Sequence, residues 1–245
     1  MRSSNSLADR RRSPYLALAA TLSFFLTTSR ALDGRGGEMD VKKIHWLGHA
    51  SFRVEVGAKQ LYLDPYKLPP NVPKADFILI THAHFDHFSK EDLEKIRTPE
   101  TMFVAPRDVA AQLQGRVTAV SPGDTVTVGE LQVIAVPAYN VGKRFHPRES
   151  GWVGYVIRLP DGGRLYHAGD TDFIPEMRKV QTDVALLPIG GTYTMDAKQA
   201  AEAAAAIKAS VTIPMHWGDI VGSQKDVEEF RKNYKGKVLV LTPER

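Results

Sequence analysis

Asp76-Phe77-Ile78-Leu79-Ile80-Thr81-His82-Ala83-His84-Phe85-Asp86-His87-Phe88 passes from an apolar run to a dense set of metal-binding side chains. Phe77–Ile80 is short, continuous and rich in Ile and Leu, which reads as a buried strand. The histidines therefore fall where a strand's C-terminal end gives way to a loop, the edge at which α/β folds bind ligands. His82, His84, Asp86 and His87 together offer imidazole and carboxylate donors, a mixture that suits zinc, manganese or iron. His82 and His84 are two residues apart, so extended backbone sends both rings to one face. Asp86 and His87 are adjacent and point apart, which favours two neighbouring cations over one.

Outward from this stretch, short apolar runs alternate with turn signals. Val41–Leu47, Phe52–Val56 and Gln60–Leu63 read as strands before it. After it, Ser89 with Asp92 three residues on resembles a capping box and predicts a helix. Met102–Ala105 predicts a strand and 106–113 a helix, with Pro106 in its first turn and Gly115 beyond its end. The middle is rich in strand signals: Val117–Val120, Thr125–Val128, Leu131–Val136, Trp152–Leu159 and Arg164–His167, with a polar loop over 139–150. The last part alternates again. Val184–Pro188, Val211–Met215 and Lys237–Leu241 read as strands, and 196–208 and 223–234 as helices, the first alanine-rich, the second with a Ser223/Asp226 capping box. Two batches of alternating strands and helices around a β-meander predict an α/β fold of two sheets with helices outside.

The net charge of +4 does not imply a nucleic-acid partner. Arg2, Arg10, Arg11, Arg12 and Arg30 against Asp9 account for all of it, and the remaining 27 basic and 27 acidic residues balance. Those arginines belong to a leader, residues 1–31, laid out like a secretory signal: a basic cluster, an apolar run over 14–28, and small residues Ser29 and Ala31 at the −3 and −1 positions. The run is short for a transmembrane span. Export to the periplasm is the expectation if this leader is used, with an uncleaved anchor as the alternative. A start at Met39 would instead leave the protein cytoplasmic. Residues 32–40 read as a linker and 41–245 as one domain. The absence of cysteine excludes disulfides, thiolate zinc sites and cysteine nucleophiles.

Three further candidate ligands follow strands: His146, Asp170 in a Gly-Asp-Thr turn, and His216. If the strands are parallel neighbours, these loops meet at one edge. His45 and His167 read as structural. His49 stands equally as a group near the site. Asp64, before Pro65, is either a turn former or a carboxylate that orients a ligand histidine.

The segment Thr81–His87 resembles the HxHxDH signature of the metallo-β-lactamase superfamily. Gly48-His49-Ala50-Ser51-Phe52, Tyr62-Leu63-Asp64-Pro65 and His167-Ala168-Gly169-Asp170-Thr171 are more narrowly similar to its branch of bacterial and archaeal metal-dependent hydrolases and L-ascorbate-6-phosphate lactonase. The resemblance spans about residues 41–242. It implies a four-layer αββα sandwich and a hydrolase with two divalent metal ions, zinc first, manganese or iron otherwise. It places His82 and His84 at the first metal, Asp86, His87 and His216 at the second, and Asp170 between them. The first metal's third ligand is usually a histidine directly after a tyrosine, but Asn140 follows Tyr139 here. His146 is the expected replacement, with Asn140 as an oxygen ligand, or an incomplete first site, as the alternative.

Such a site activates water, and Asp86 and Asp170 are the expected catalytic carboxylates. Neither Gly-x-Ser-x-Gly nor a P-loop occurs. A small-molecule ester, lactone or phosphodiester is the expected substrate class. A β-lactam hydrolase and a non-catalytic metal-binding module are the rival readings. No nucleic acid and no stable membrane insertion are expected, unless the leader is retained.

Overall fold

The computed structural model describes residues 39–244. The expected leader, and the linker up to residue 38, lie outside the described residues. Among the described residues no helix is long and apolar enough to cross a membrane.

Two six-stranded sheets carry the fold. The first runs in order β1 (Ile44–Gly48), β2 (Ser51–Val56), β3 (Lys59–Leu63), β4 (Phe77–Leu79), β5 (Met102–Pro106) and β6 (Arg116–Val120). The second runs from β7 (Thr125–Val128) through β8 (Leu131–Pro137), β9 (Val153–Arg158), β10 (Arg164–His167) and β11 (Val184–Pro188) to β12 (Val211–Met215). The first sheet has two antiparallel pairings followed by three parallel ones, and the second three antiparallel followed by two parallel.

Period-two alternation assigns the layers. Leu61 and Leu63 on β3, with Phe77 and Leu79 on β4, join Val133, Tyr155 and Leu165 of the second sheet in one buried cluster between the sheets. Tyr62, Ile78 and Ile80 point the other way. They pack beneath α1 (Lys90–Ile96) and α2 (Arg107–Ala110) through Leu93, Ile96 and Val109. Burying each such side chain contributes about 1.5–3 kcal/mol. The second sheet is covered by α3 (Ala197–Ile207), which packs on β11 and on α4 (Gln224–Asn233). Alanines at 200, 203 and 204 bring α3 close to its neighbours. The result is helix, sheet, sheet, helix, as expected.

Local differences from the sequence reading have simple causes. Val41–Lys43 forms a 3-10 turn ahead of β1, because Asp40 caps the backbone there by accepting from the Lys42 amide. The helix expected over 106–113 has one turn, Arg107–Ala110, since Pro106 still belongs to β5. The stretch 237–241 is no ladder strand; it meets β12 in a single bridge, Thr212 with Val238. The capping box at α1 is half formed. Ser89 accepts from the Asp92 amide at 3.3 Å, but the Asp92 carboxylate takes the backbone amides of Lys67 and Leu68 instead. At α4 the Ser223/Asp226 box is complete.

Direction of travel decides where the loops end up. Within the first sheet β1, β3 and β4 run the same way, and within the second β8, β10 and β12 do, because two antiparallel steps restore the direction. Residues that follow any of these strands therefore gather at one edge of their sheet. The expectation that the strands be parallel neighbours was too strict, since antiparallel β9 separates β8 from β10.

Gly190, just after β11, shows how tightly that edge is packed. A Cβ there would lie 2.3 Å from the His216 carbonyl oxygen and 2.7 Å from Val221 Cγ2. Gly190→Ala should cost about 1–3 kcal/mol of overpacking. For a domain of this size that is a Tm fall of roughly 2–12 °C, read by thermal denaturation; an unchanged Tm would show that the edge can relax.

Candidate metal centre

The seven candidate ligands arrive from four strand ends. His82, His84, Asp86 and His87 follow β4; His146 follows β8; Asp170 follows β10; His216 follows β12. The structure brings all seven together. His82, His84 and His146 each offer a ligand atom within 4.8 Å of the others. Asp86, His87 and His216 do the same in a second group, which also contains His49. Asp170 lies between the groups. Its Oδ1 is 3.2 Å from His87 Nε2, and its Oδ2 is 3.1 Å from His216 Nε2 and 3.3 Å from His146 Nε2.

Asp64, after β3, orders the first stretch from behind. Its carboxylate accepts from the Thr81 amide at 2.7 Å, the Thr81 hydroxyl at 2.6 Å and His87 Nδ1 at 2.7 Å. The Thr81 hydroxyl gives its only proton to Asp64. It must then accept from His82 Nδ1, 3.0 Å away. One buried carboxylate thereby fixes two tautomers and leaves Nε2 of both His82 and His87 facing the cluster. Of the two readings open for Asp64, the histidine-orienting one holds.

Asn140 and His146 are hydrogen-bonded to each other in a similar way. Asn140 Oδ1 accepts from His146 Nδ1 at 3.0 Å and from the His146 amide at 3.1 Å. Its Nδ2 donates to the Tyr193 carbonyl at 2.8 Å. The Asn140 side chain is thus engaged in holding the imidazole that points inward. The 139–150 loop is pinned as well: Lys143 Nζ reaches Asp172 Oδ1 and the Thr194 carbonyl, both at 2.6 Å.

His49, in the tight turn between β1 and β2, is fully buried. Its Nε2 donates to Asp86 Oδ2 at 3.0 Å, and its ring lies 3.8 Å from that of His216, centroid to centroid. Its carbonyl accepts from the His216 amide at 2.9 Å. His167 plays the structural part expected of it, with Nε2 donating to the Ala50 carbonyl at 2.8 Å. His45 bridges Glu55 and Glu244 on the far side of the hairpin.

Charge in the site is strongly coupled. Burial lowers the pKa of His87, but the Asp170 and Asp64 carboxylates outweigh it and raise it well above the ordinary value. Burial raises Asp170, yet His216 and His87 draw it well below the usual carboxylate range. Burial also raises Asp86, and the His49 hydrogen bond and the His87 charge reverse that, to about 2. His82, desolvated and beside His87, falls well below the ordinary imidazole value, and desolvation takes His49 down to about 4.

Buried polar atoms nearly always find hydrogen-bond partners. Here His87 Nε2, His146 Nε2, His216 Nε2 and Asp170 Oδ1 are buried and make no hydrogen bond, although they face one another. Nitrogen and oxygen donors that converge in this way fit divalent cations with mixed imidazole and carboxylate shells.

A cleft of about 240 Å³ opens over the cluster. His84, Asp86, His146 and Asp170 line it, together with Phe85, Phe145, Tyr193 and Ile220. Sequence reasoning missed Thr81 as the relay from Asp64, and Trp152, whose indole lies about 5 Å from the His82 and His84 rings. Thr81 adjoins the HxHxDH run and could have been weighed as a relay. Trp152 carried no signal beyond an apolar strand start.

Residues 43–216 match the model of the beta-lactamase superfamily domain. The UPF0173 metal-dependent hydrolase of Methanopyrus kandleri is 33% identical, over 82% of this chain and 97% of the relative. That of Thermoplasma acidophilum is 36% identical, over 79% and 91%. Among solved structures, a metallo hydrolase of the archaeon Ignicoccus hospitalis is similar with a TM-score of 0.68 and 27% identity, covering 82% of this chain and 95% of its own. With its two-sheet fold and its His/Asp cluster, the chain belongs to the metallo-β-lactamase superfamily and is one of its metal-dependent hydrolases.

Proposed function

We propose that the protein is a dinuclear metal-dependent hydrolase of small-molecule esters or lactones, with phosphodiesters as the other class open to such a site. The observation that carries this reading is the set of buried atoms of His87, His146, His216 and Asp170 that make no hydrogen bond, where the two donor groups meet. In this reading His82, His84 and His146 hold one cation, Asp86, His87 and His216 the other, and Asp170 reaches both. Zinc is the first expectation for the metal, with manganese or iron also matched to these donors.

When bound, a pair of divalent cations supplies an activated water at neutral pH and polarises the oxygen of the scissile group. The chain's own residues do the rest. Asp64, through Thr81 and directly, presents His82 and His87 by Nε2. Asn140 does so for His146, and His49 sets the Asp86 carboxylate. Asp86 and Asp170 would balance the charge of bound cations and could accept hydrogen bonds from a water in the site. The cleft of about 240 Å³ is of a size for a small molecule.

Purified protein should carry two equivalents of metal per chain by elemental analysis and hydrolyse at least one member of an ester, lactone and phosphodiester panel. Asp170→Ala should lower that turnover more than about 100-fold, the upper range for loss of a group merely supporting a ligand. A folded protein that takes up no metal under any loading condition would overturn the proposal.

The roles of Asn140 and His146 are separable. His146→Ala should reduce the stoichiometry from two equivalents to one. Asn140→Ala should keep both but weaken one site about 10- to 100-fold in a competitive chelator titration. Two undiminished equivalents in His146→Ala would instead point to Asn140 as the ligand.

A further inference from the structure

Half of the side chains that line the cleft over the candidate ligands are apolar or aromatic. Phe85 is 67% exposed although it lies between His84 and Asp86, and Ile220 is 38% exposed. Large exposed apolar side chains at the mouth of a site mark a surface that another molecule covers. Phe145 and Tyr193 meet edge to face at 4.7 Å and complete this wall. Tyr66 supports Phe85 from outside the cleft, with ring centroids 5.9 Å apart.

The wall also lacks positive charge. Among the described residues no lysine or arginine lines the cleft. Lys143 is tied to Asp172 and the Thr194 carbonyl, and Lys67 to Asp219. Arg144 lies against the Phe145 ring, 5.9 Å from its centroid, and is not part of the lining. A substrate tail bearing a phosphate or carboxylate would thus meet aromatic rings with no cation to pair it. Such a tail would lose hydration without compensation. An aromatic or branched apolar tail would instead stack on the rings and cover them.

We infer that the non-reacting part of the substrate is an uncharged apolar group, aromatic by preference, bound against Phe85, Phe145, Tyr193 and Ile220. This rests on the hydrolase reading above and narrows it to neutral acyl compounds. Hydrolysis breaks the bond between the acyl carbon and the leaving oxygen; water supplies OH to the carbon and a proton to the oxygen. The cleft volume of about 240 Å³ is near the low end for ligand sites, which limits the tail to about one ring system.

The zinc-loaded full chain can be tested by pH-stat with ethyl acetate, ethyl phenylacetate, benzyl acetate and monoethyl succinate. These place a ring on the acyl side, on the alcohol side, or a charge in its stead. At least one aromatic ester should exceed ethyl acetate in kcat/KM by about tenfold or more, the scale on which apolar pockets discriminate. Monoethyl succinate should not exceed ethyl acetate. Phe85→Ala should cut the aromatic-to-acetate ratio at least fivefold by the same reasoning, whereas Val141→Ala, exposed but outside the cleft, should leave the ratio as it is. A preference for succinate, or an aromatic preference unaffected by Phe85→Ala, would overturn the inference. If no ester is turned over, the hydrolase reading for esters fails separately. Calorimetry with phenylacetate, benzyl alcohol, acetate and succinate then decides the inference alone. Tighter binding of the aromatic compounds, lost in Phe85→Ala, supports it, and equal binding overturns it.

Discussion

The Asp64 carboxylate accepts three hydrogen bonds, and through them one buried charge reaches both halves of the proposed metal centre. By way of Thr81 it sets the His82 tautomer, and directly it sets that of His87. Charged acceptors with full partners make the stronger hydrogen bonds, about 1.5–3 kcal/mol each. Removing one member of such a buried pair costs more, about 3–5 kcal/mol, because the other is left without compensation. If His87 turned its second nitrogen inward, Asp64 Oδ2 would lose a donor; if His82 did, the Thr81 hydroxyl would lose the one it accepts from. The ligand geometry is therefore a by-product of satisfying Asp64.

The same edge carries backbone conformations that L-residues rarely adopt. His49, Asp64 and His216 have φ of 52°, 44° and 59°. Each such residue costs on the order of 1–3 kcal/mol and persists only where its surroundings hold it. Here they do: His49 and His216 are locked together through the 2.9 Å bond from the His216 amide to the His49 carbonyl, and Asp64 is held by Leu79 and Thr81. Interior packing, dominated by Phe52, Phe77, Tyr155 and their neighbours, supplies the stability against which this strain is set.

Much of this was legible because strand periodicity and ligand chemistry leave separate marks on a sequence. Phe77–Ile80 announced a buried strand, and the donors after it could not be explained by packing. Asp170 and His216 were legible as polar residues in strand-following loops. The His146 assignment was harder, since an inserted loop separates it from its strand and only the fold shows Asn140 turning its oxygen onto the imidazole. Thr81 was missed because a hydroxyl relay has no spacing rule. The terminal stretch 237–241 looked like a strand by composition; it meets the outer edge of β12 in one bridge, Thr212 with Val238. The apolar lining of the cleft was not legible at all: Phe85, Phe145, Tyr193 and Ile220 come from four separate loops.

Anomalous diffraction from crystals of the metal-loaded protein, collected at the metal's absorption edge, tests the central claim most directly. The account predicts two peaks, one among His82, His84 and His146, the other among Asp86, His87 and His216, with Asp170 in contact with both. A single peak, or a second peak away from Asp170, would contradict it.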